Sequence, residues 1–541
     1  MTWRGDTLNE MLDAAKRDYG ETEALVTSRE RLTYAELHER VREFARGLLA
    51  LGVRPGDRVG VLISNRVEWF IATYAAEHVG ATMVGLNTWY KTDELRYALR
   101  QADVSTLITL DSFLGNDFVE MLTDIDPAIA SGEIHNINST ELPVLQNLVV
   151  VGEAPAWAHG WTDVVTKAEE VSLERLDAIT ESVSPTDEAY ILFSSGTTGR
   201  PKPIVLEHDG LVTNPRSIGS RIGIEDGDRF WLGLPLFFSF AACNESITAF
   251  SHGATLVVQE QFDAREAVEL IQEEACSVLY GMGNMFKQME NLDVNLQQAL
   301  DSVRVGLVVG PRPVRRRLEE EHGVERALHG YGLTEVSAIC AITHHNSPKA
   351  PRRNTVGRPL ANVDIRIKDP ETGVEVAPGE EGEICIRSRA MFRKYLKRPD
   401  KTREAIDDDG YLKTGDIGWL DADGRLVFEG RIKDMIKTGG INVSPQEVER
   451  VISQHPDVDE VSVVGLPDDE KDEIVGAVVK PVAGRSLTED EVVSFCVEQM
   501  ADYKVPAKVA IRQSEFPRTD TGKIRKVSLR ESLVEEAERD T

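Results

Sequence analysis

The chain has 541 residues with 61 basic and 91 acidic side chains, a formal charge of −30, and is 41% hydrophobic and 28% charged. That length is too great for one core and calls for two or more domains of roughly 100–200 residues, while the acidity argues against a nucleic-acid surface. No stretch approaches the ~18–20 apolar residues that span a bilayer. The polar opening Met1-Thr2-Trp3-Arg4-Gly5-Asp6 lacks an apolar signal region, so a cytoplasmic protein is expected.

From residue 57 onward, apolar runs alternate with helical patterns. Residues 59–63, 82–86, 106–110 and 148–151 read as buried strands. Val67, Phe70, Ile71, Tyr74 and Ala75 recur at helix spacing between the first two. After Tyr190-Ile191-Leu192-Phe193 the rhythm resumes, with strands at 230–234, 255–258, 277–280 and 303–309 and a helix at 264–273. Such alternation implies doubly wound α/β layers, with ligands at the carboxyl ends of strands. Short alternating runs at 363–367 and 383–387, with turns such as Pro378-Gly379, predict a small antiparallel β unit at about 345–430. A first domain over 1–432 and a small α+β domain over 433–541 are expected. The second would hold a helix at 445–453 and strands at 461–464 and 476–480.

The chemistry-bearing segments fall in loops after apolar runs. Ser194-Ser195-Gly196-Thr197-Thr198-Gly199-Arg200-Pro201-Lys202 offers close backbone approach, hydroxyl donors and a mobile cation, the means of holding phosphates. It does not fit the spacing of a Walker A loop. His329-Gly330-Tyr331-Gly332-Leu333-Thr334-Glu335 joins an aromatic face, a hydroxyl and a carboxylate. Tyr411-Leu412-Lys413-Thr414-Gly415-Asp416 precedes Gly430-Arg431-Ile432-Lys433-Asp434, and Pro517-Arg518-Thr519-Asp520-Thr521-Gly522-Lys523-Ile524 comes near the end. Taken in order, these four segments resemble the adenylate-forming superfamily, which comprises acyl-CoA synthetases, firefly-type luciferases and peptide-synthetase adenylation domains. The resemblance runs from Leu32 to Lys523 and is greatest to an acyl-CoA synthetase.

The resemblance implies a two-step reaction. A carboxylate attacks the α-phosphate of ATP with loss of pyrophosphate, and a thiolate of CoA then displaces AMP. Both reactants of the first step are anions, so charge neutralisation and alignment dominate. By the same resemblance Ser194 to Lys202 wrap the β- and γ-phosphates, and Tyr331 stacks adenine with Gly310, His329, Gly330 and Gly332 around it. Thr334 bonds the α-phosphate, Glu335 holds Mg²⁺, and Asp416 and Arg431 hold the ribose. Lys523 bridges carboxylate and α-phosphate. Lys433 is the hinge of a rotating small domain, and Lys437, Gly439 and Gly440 line the CoA channel. The partners implied are ATP, CoA and a small carboxylic acid; a homodimer stays open.

Several segments depart from the family pattern. Pro203 stands where Gly is usual, the Pro-Leu-Phe-His segment reads Pro235-Leu236-Phe237-Phe238, the adenine segment reads Gly310-Pro311-Arg312-Pro313, and Tyr280-Gly281-Met282-Gly283-Asn284 lacks its proline. These touch the acid pocket, expected from Phe238, Tyr280, Asn284, Gly306, Ile339 and Cys340 with Ala241, Ala242, Asn244 and Glu245. Their mixed character suggests a medium-sized or cyclic acid. Glu245 is either a partner for a polar substrate group or a helix-surface acid. Cys243, Cys276, Cys340, Cys385 and Cys496 form no C-x-x-C pair, and Cys340 beside His344 and His345 lacks a fourth ligand for zinc. Residues 504–530 hold eight basic and two acidic side chains, an island suited to drawing in ATP and CoA. Two alternatives stand beside the ligase: an enzyme handing the acyl group to an amine or carrier protein, and a catalytically dead nucleotide-binding homologue.

Overall fold

The computed structural model describes residues 5–131, 137–194, 201–310, 312–438, 441–468, 472–500, 502–519 and 523–539. The chain forms two compact units, Met1–Asp364 with Arg387–Leu412, and Ile365–Ile386 with Lys413–Thr541.

Unit 1 is built on two large sheets. The first has eight strands in the order Lys394–Tyr395, Pro203–Glu207, Glu188–Phe193, Thr82–Gly85, Arg58–Leu62, Thr106–Leu110, Asn147–Val151, His159–Gly160. Its inner ladders are parallel, and the antiparallel pairs lie at the Lys394–Tyr395 end. The second has seven, in the order Arg326–Leu328, Val305–Val309, Val278–Met282, Arg229–Leu232, Thr255–Val258, Glu23–Val26, Arg31–Thr33. Parallel strands need helical crossovers and are covered on both faces, so they read as unbroken apolar runs. Thr106–Leu110 and Asn147–Val151 are buried at every position. The helix Val67–His78 is apolar nearly all round, and eleven of its twelve residues are buried. By contrast Ala264–Glu273 buries one stripe, Ala267, Val268 and Ile271, behind an Asp263 cap. The predicted doubly wound layers are thus present. A third, small antiparallel sheet joins Gly330–Tyr331, Ala341–Ile342 and Arg358–Pro359.

Unit 2 holds most of a four-stranded sheet ordered Val363–Lys368, Gly382–Ser388, Leu412–Leu420, Leu426–Arg431. A five-stranded sheet follows, with Val458–Asp468 and Asp472–Pro481 as its long hairpin and Lys508–Ile511 pairing parallel to the latter. Strand alternation sends Val463, Val475, Ala477 and Val479 to one face, under helices Pro445–Ile452 and Glu489–Gln499. Val464, Leu466 and Val478 go to the other, under Lys526–Arg539. The units do not divide at 432/433. Residues 365–386 and 413–432 belong with the later chain because their strands pair with one another and Glu429 is tied forward. The Glu429 carbonyl accepts from Ser444 Oγ at 2.7 Å, and its carboxylate pairs with Arg450 at 2.9 Å.

No helix among the described residues is long and apolar enough to cross a membrane. All five cysteines are buried, and none forms a disulfide among the described residues.

Candidate active site

The predicted phosphate loop is the connection of a hairpin. Glu188–Phe193 runs antiparallel to Pro203–Glu207 with Phe193 opposite Pro203, so Pro203 continues a strand where the family pattern has Gly. The base of the loop is closed by Ser194 N–H donating to the Lys202 carbonyl at 3.0 Å and Lys202 N–H donating to Ser194 Oγ at 3.1 Å. Ser195, Gly196, Thr197, Thr198 and Gly199 lie outside the described residues.

Lys202 Nζ stands 4.3 Å from the centroid of the Tyr395 ring, a cation–π contact. Tyr395 Oη donates to Glu335 Oε1 at 2.7 Å, and Phe392 N–H donates to the Glu335 carbonyl at 2.7 Å. Beside it, Thr334 Oγ1 and Ser239 Oγ are 3.0 Å apart. Lys202 and Glu335, separated by more than a hundred residues, thus form one chain of contacts through Tyr395, with Thr334 next to Glu335 in the sequence. Burial, reinforced by Glu335, pushes the Tyr395 phenol well up, so it stays a donor. Sequence reasoning missed Tyr395 and Ser239, for neither lies in a recognised motif. Tyr395 arrives by pairing Lys394–Tyr395 with Ile204–Val205 at the sheet edge.

The turn after Glu335 is strained. Ser337 and Ala338 have φ of 54° and 80°, the left-handed region that side chains avoid. Buried Asn214 holds it, its amide donating to the carbonyls of Ser337 at 3.2 Å and Ile339 at 2.6 Å. Gly332 is required there, because a Cβ would sit 1.9 Å from the Ala338 carbonyl oxygen. Tyr331 and Gly330 are buried in the small sheet, opposite Ala341 and Ile342. His329 is partly buried. Desolvation, with Arg315 adding, holds its imidazole well below the usual range, against a hydrogen bond to the Thr355 carbonyl. It is therefore neutral near pH 7. Buried Arg315 donates to the Gly310 carbonyl of the predicted adenine segment; burial lowers its pKa to about 9.

The acid-pocket residues are brought together in part. Gly306 pairs beside Leu279, one residue from Tyr280, and the Tyr280 ring is 5.4 Å from Phe240. Phe238 packs with Phe237 and Trp89. Ile339 lies over Gly330, and Cys340 N–H donates to the Tyr331 carbonyl. Asn284 sits at the start of the helix Gly283–Glu290, half-buried. Glu245 is not a helix-surface acid: both Glu245 and Asn244 are 0% exposed, in a π-helical turn Phe240–Glu245. None of their side-chain polar atoms has a hydrogen-bond partner among the described residues. Burial drives the Glu245 carboxyl far up, so it is protonated. Periodicity shows a helix there but not that the helix is swallowed by the core.

In unit 2, Asp416 and Arg431 face each other across Leu412–Leu420 and Leu426–Arg431 and pair at 3.2 Å. The turn is set by Asp416 N–H donating to Thr414 Oγ1 at 3.0 Å and Gly415 N–H donating to Glu383 Oε1 at 2.9 Å. Asp416 is 6% exposed, leaving a buried carboxylate beside a guanidinium. Lys523 shares this environment. Lys523 is exposed, yet the protein packed around it lowers its pKa by desolvation, Arg431 lowers it further, and Asp416 opposes. Lys433 lies in the short turn Ile432–Asp434 with its pKa lowered by desolvation and Arg431. Gly439, Gly440 and the Lys437 side chain lie outside the described residues.

The basic island is corrected by the structure. Lys504 pairs with Glu447 at 2.6 Å, Lys526 with Glu449 at 2.7 Å, Arg530 with Glu473 at 3.3 Å, Arg512 with Glu536 and Arg518 with Glu460. The carboxylates come from strands and helices distant in sequence, so a +6 stretch is largely neutralised in space. Cys340, His344 and His345 do not converge either: the two histidines stack at 4.4 Å while Cys340 is bonded to Tyr331.

The chain is similar to known proteins over nearly its whole length. The family model of AMP-binding enzymes matches residues 12–396, and that of the AMP-binding enzyme C-terminal domain matches 447–523. A 3-[(3aS,4S,7aS)-7a-methyl-1,5-dioxo-octahydro-1H-inden-4-yl]propanoyl:CoA ligase of Rhodococcus jostii is 32% identical over 98% of this chain and 99% of its own. The mitochondrial medium-chain acyl-CoA ligase ACSF2 of Danio rerio is 31% identical over 98% of this chain and 88% of its own. The crystal structure of ATP-bound MatB from Rhodopseudomonas palustris superposes with a TM-score of 0.85 at 26% identity, covering 98% of this chain and 99% of that one.

Proposed function

The chain belongs to the AMP-binding enzyme family and is an AMP-forming acyl-CoA ligase, and we propose how its residues divide that work. ATP, CoA and a carboxylic acid are its substrates. In the first step Lys202 and the 194–202 loop hold the β- and γ-phosphates. Tyr331 and Gly332 carry adenine, and Thr334 donates to the α-phosphate. Glu335 fits a hard divalent cation: it is a carboxylate held by a phenol and a backbone bond yet with oxygen capacity left. Mg²⁺ there would screen the phosphate charge. Asp416 accepts from the ribose hydroxyls, and Lys523, charged and desolvated, bridges the attacking carboxylate and the α-phosphate. In the second step the backbone changes at Lys433, and Gly439-Gly440 admit the thiol.

The observation that supports this reading is the contact chain Lys202–Tyr395–Glu335, which joins the lysine of the 194–202 loop to the carboxylate next to Thr334. An acid with a compact or cyclic body and a polar function suits a pocket walled by Phe238, Phe240 and Tyr280 near the protonated Glu245. Pyrophosphate release over a panel of linear, cyclic and hydroxylated acids, with and without CoA, tests the reading. Turnover that needs CoA, and is fastest with cyclic or medium acids, is expected. Turnover with an amine in place of CoA would make the chain an amide synthetase instead.

A further inference from the structure

Three helices of unit 1 bring together side chains that the ligase chemistry does not use. Asp13 comes from Leu8–Tyr19, His38 from Tyr34–Ala50 and His78 from the end of Val67–His78. One ligand-type atom from each lies within 4.8 Å of one from each of the others. His38 Nε2 is 2.7 Å from Asp13 Oδ1. His78 is 0% exposed, and its two nitrogens are unequal. Nδ1 donates to the Tyr74 carbonyl at 2.7 Å, whereas Nε2 has no hydrogen-bond partner among the described residues. With Nδ1 carrying the proton, Nε2 is left as a bare lone pair, and an unsatisfied buried acceptor is destabilising until something binds it.

We propose that Asp13, His38 and His78 bind a divalent transition-metal ion of the Zn²⁺ or Co²⁺ type, through one carboxylate oxygen and two Nε2 atoms, with water completing the shell.

The donor set is the borderline imidazole-and-carboxylate kind that favours Zn²⁺, Co²⁺ and Ni²⁺ over Mg²⁺. Bonds of about 2.0–2.2 Å set tetrahedral ligand atoms about 3.3–3.6 Å apart, so Asp13 Oδ1 and His38 Nε2, now 2.7 Å apart, must separate a little to admit the ion, within reach of side-chain adjustment on Asp13 and His38. Both of those are partly solvent-accessible, with side-chain exposures of 49% and 13%, so the ion has a path in while His78 forms the floor. The electrostatics are compatible. Asp13 is held below the usual carboxylate range, chiefly by its hydrogen bond to His38 against desolvation. Burial lowers His78 to about 4, leaving it neutral and able to ligate. The Nδ1–H to Tyr74 carbonyl bond is the outer support that fixes ring and tautomer in metal-binding histidines. The end of Val67–His78 also presents the negative pole of its helix. Arg42, the nearest opposing charge, is engaged by Asp177 at 2.5 Å.

The test uses full-length protein stripped with chelator and titrated with Co²⁺, read in the visible spectrum, then with Zn²⁺ in competition. One Co²⁺ per chain, with the intense bands of a low-symmetry four-coordinate ion, is expected. Asp13→Asn and His38→Asn, at accessible positions, should each weaken binding at least about tenfold, and Zn²⁺ should raise the melting temperature only of wild type. His344→Asn, in the stacked surface pair, should change nothing. Absence of saturable binding, equal binding by wild type and the two variants, or loss only in His344→Asn would each overturn the proposal.

Discussion

Lys202 and Lys504 show how differently this protein uses two basic residues. Lys202 rests on the Tyr395 ring, and Tyr395 in turn holds Glu335, so its charge is positioned with no direct ion pair among the described residues. Lys504 sits in a stretch rich in basic side chains, yet is bonded to Glu447 at 2.6 Å, as Lys526 and Arg530 of the same stretch are to Glu449 and Glu473. In a chain of charge −30, a local count of basic side chains does not give a local field. What matters is which cations are placed against rings, desolvated or left facing a site. Lys523 differs from these paired cations, for its electrostatic neighbours are Arg431 and Asp416, the proposed ribose-binding pair.

The largest expected break of that contrast is at Lys523. Lys523→Ala should lower ATP–pyrophosphate exchange by about 10²–10³-fold, the scale of losing one preorganised transition-state contact. Its lowered pKa adds a signature. The ammonium is the active form, so wild-type adenylation should fall as pH rises through a value below that of an ordinary lysine. Lys523→Arg should move that limb to higher pH. An unchanged alkaline limb in the arginine variant would detach Lys523 from the chemistry.

The contact chain on the phosphate side predicts the next effect. Tyr395→Phe removes one hydrogen bond to a charged group, about 1.5–3 kcal/mol, or roughly 10–100-fold. The loss should appear in the Mg²⁺ and ATP dependence and be shared by Glu335→Gln. Were the double variant to lose the full product of the two single losses, Tyr395 would not be acting through Glu335.

Glu245 tests burial rather than charge. It lacks partners at 0% exposure, so Glu245→Met, similar in shape, should leave stability unchanged or raise the melting temperature by a few degrees, since it removes an unsatisfied buried polar group. Acid preference should shift toward less polar substrates. A fall in melting temperature of several degrees would mean that Glu245 has a partner in the folded protein. The smallest effect belongs to Lys504→Ala. A surface pair is worth about 0.2–1 kcal/mol, so KM for ATP and CoA should move by less than about twofold. A tenfold rise in either KM would restore the basic face as an attracting surface.

Much of the fold was legible because parallel strands buried on both faces leave unbroken apolar runs, as at 106–110 and 147–151. The strand at 255–258 and the helix at 264–273 were also read at their observed bounds. The motif residues were legible because each lies in a compact segment. What escaped were the groups that join motifs. Tyr395 reaches Glu335 through an edge-strand pairing, Asn214 pins a strained turn more than a hundred residues away, and Glu429 ties the β segment to the later chain. Such contacts depend on long-range register, which composition and periodicity do not encode. The burial of Glu245 was hidden for a related reason, since amphipathic spacing gives a face but not what covers it. The compact-unit boundary likewise follows strand pairing rather than the change in sequence texture near 433.

The central claim is that one set of residues performs adenylation and a backbone change near Lys433 then opens the thiol step. Its most direct test is a single-turnover experiment on Lys433→Pro that follows both half-reactions. Proline fixes φ near −65° and removes an N–H at the Ile432–Asp434 turn. The account predicts pyrophosphate release and acyl-adenylate formation near the wild-type rate, with thioester formation slowed by about a hundredfold or more. Wild-type rates in both steps, or equal loss in both, would contradict it.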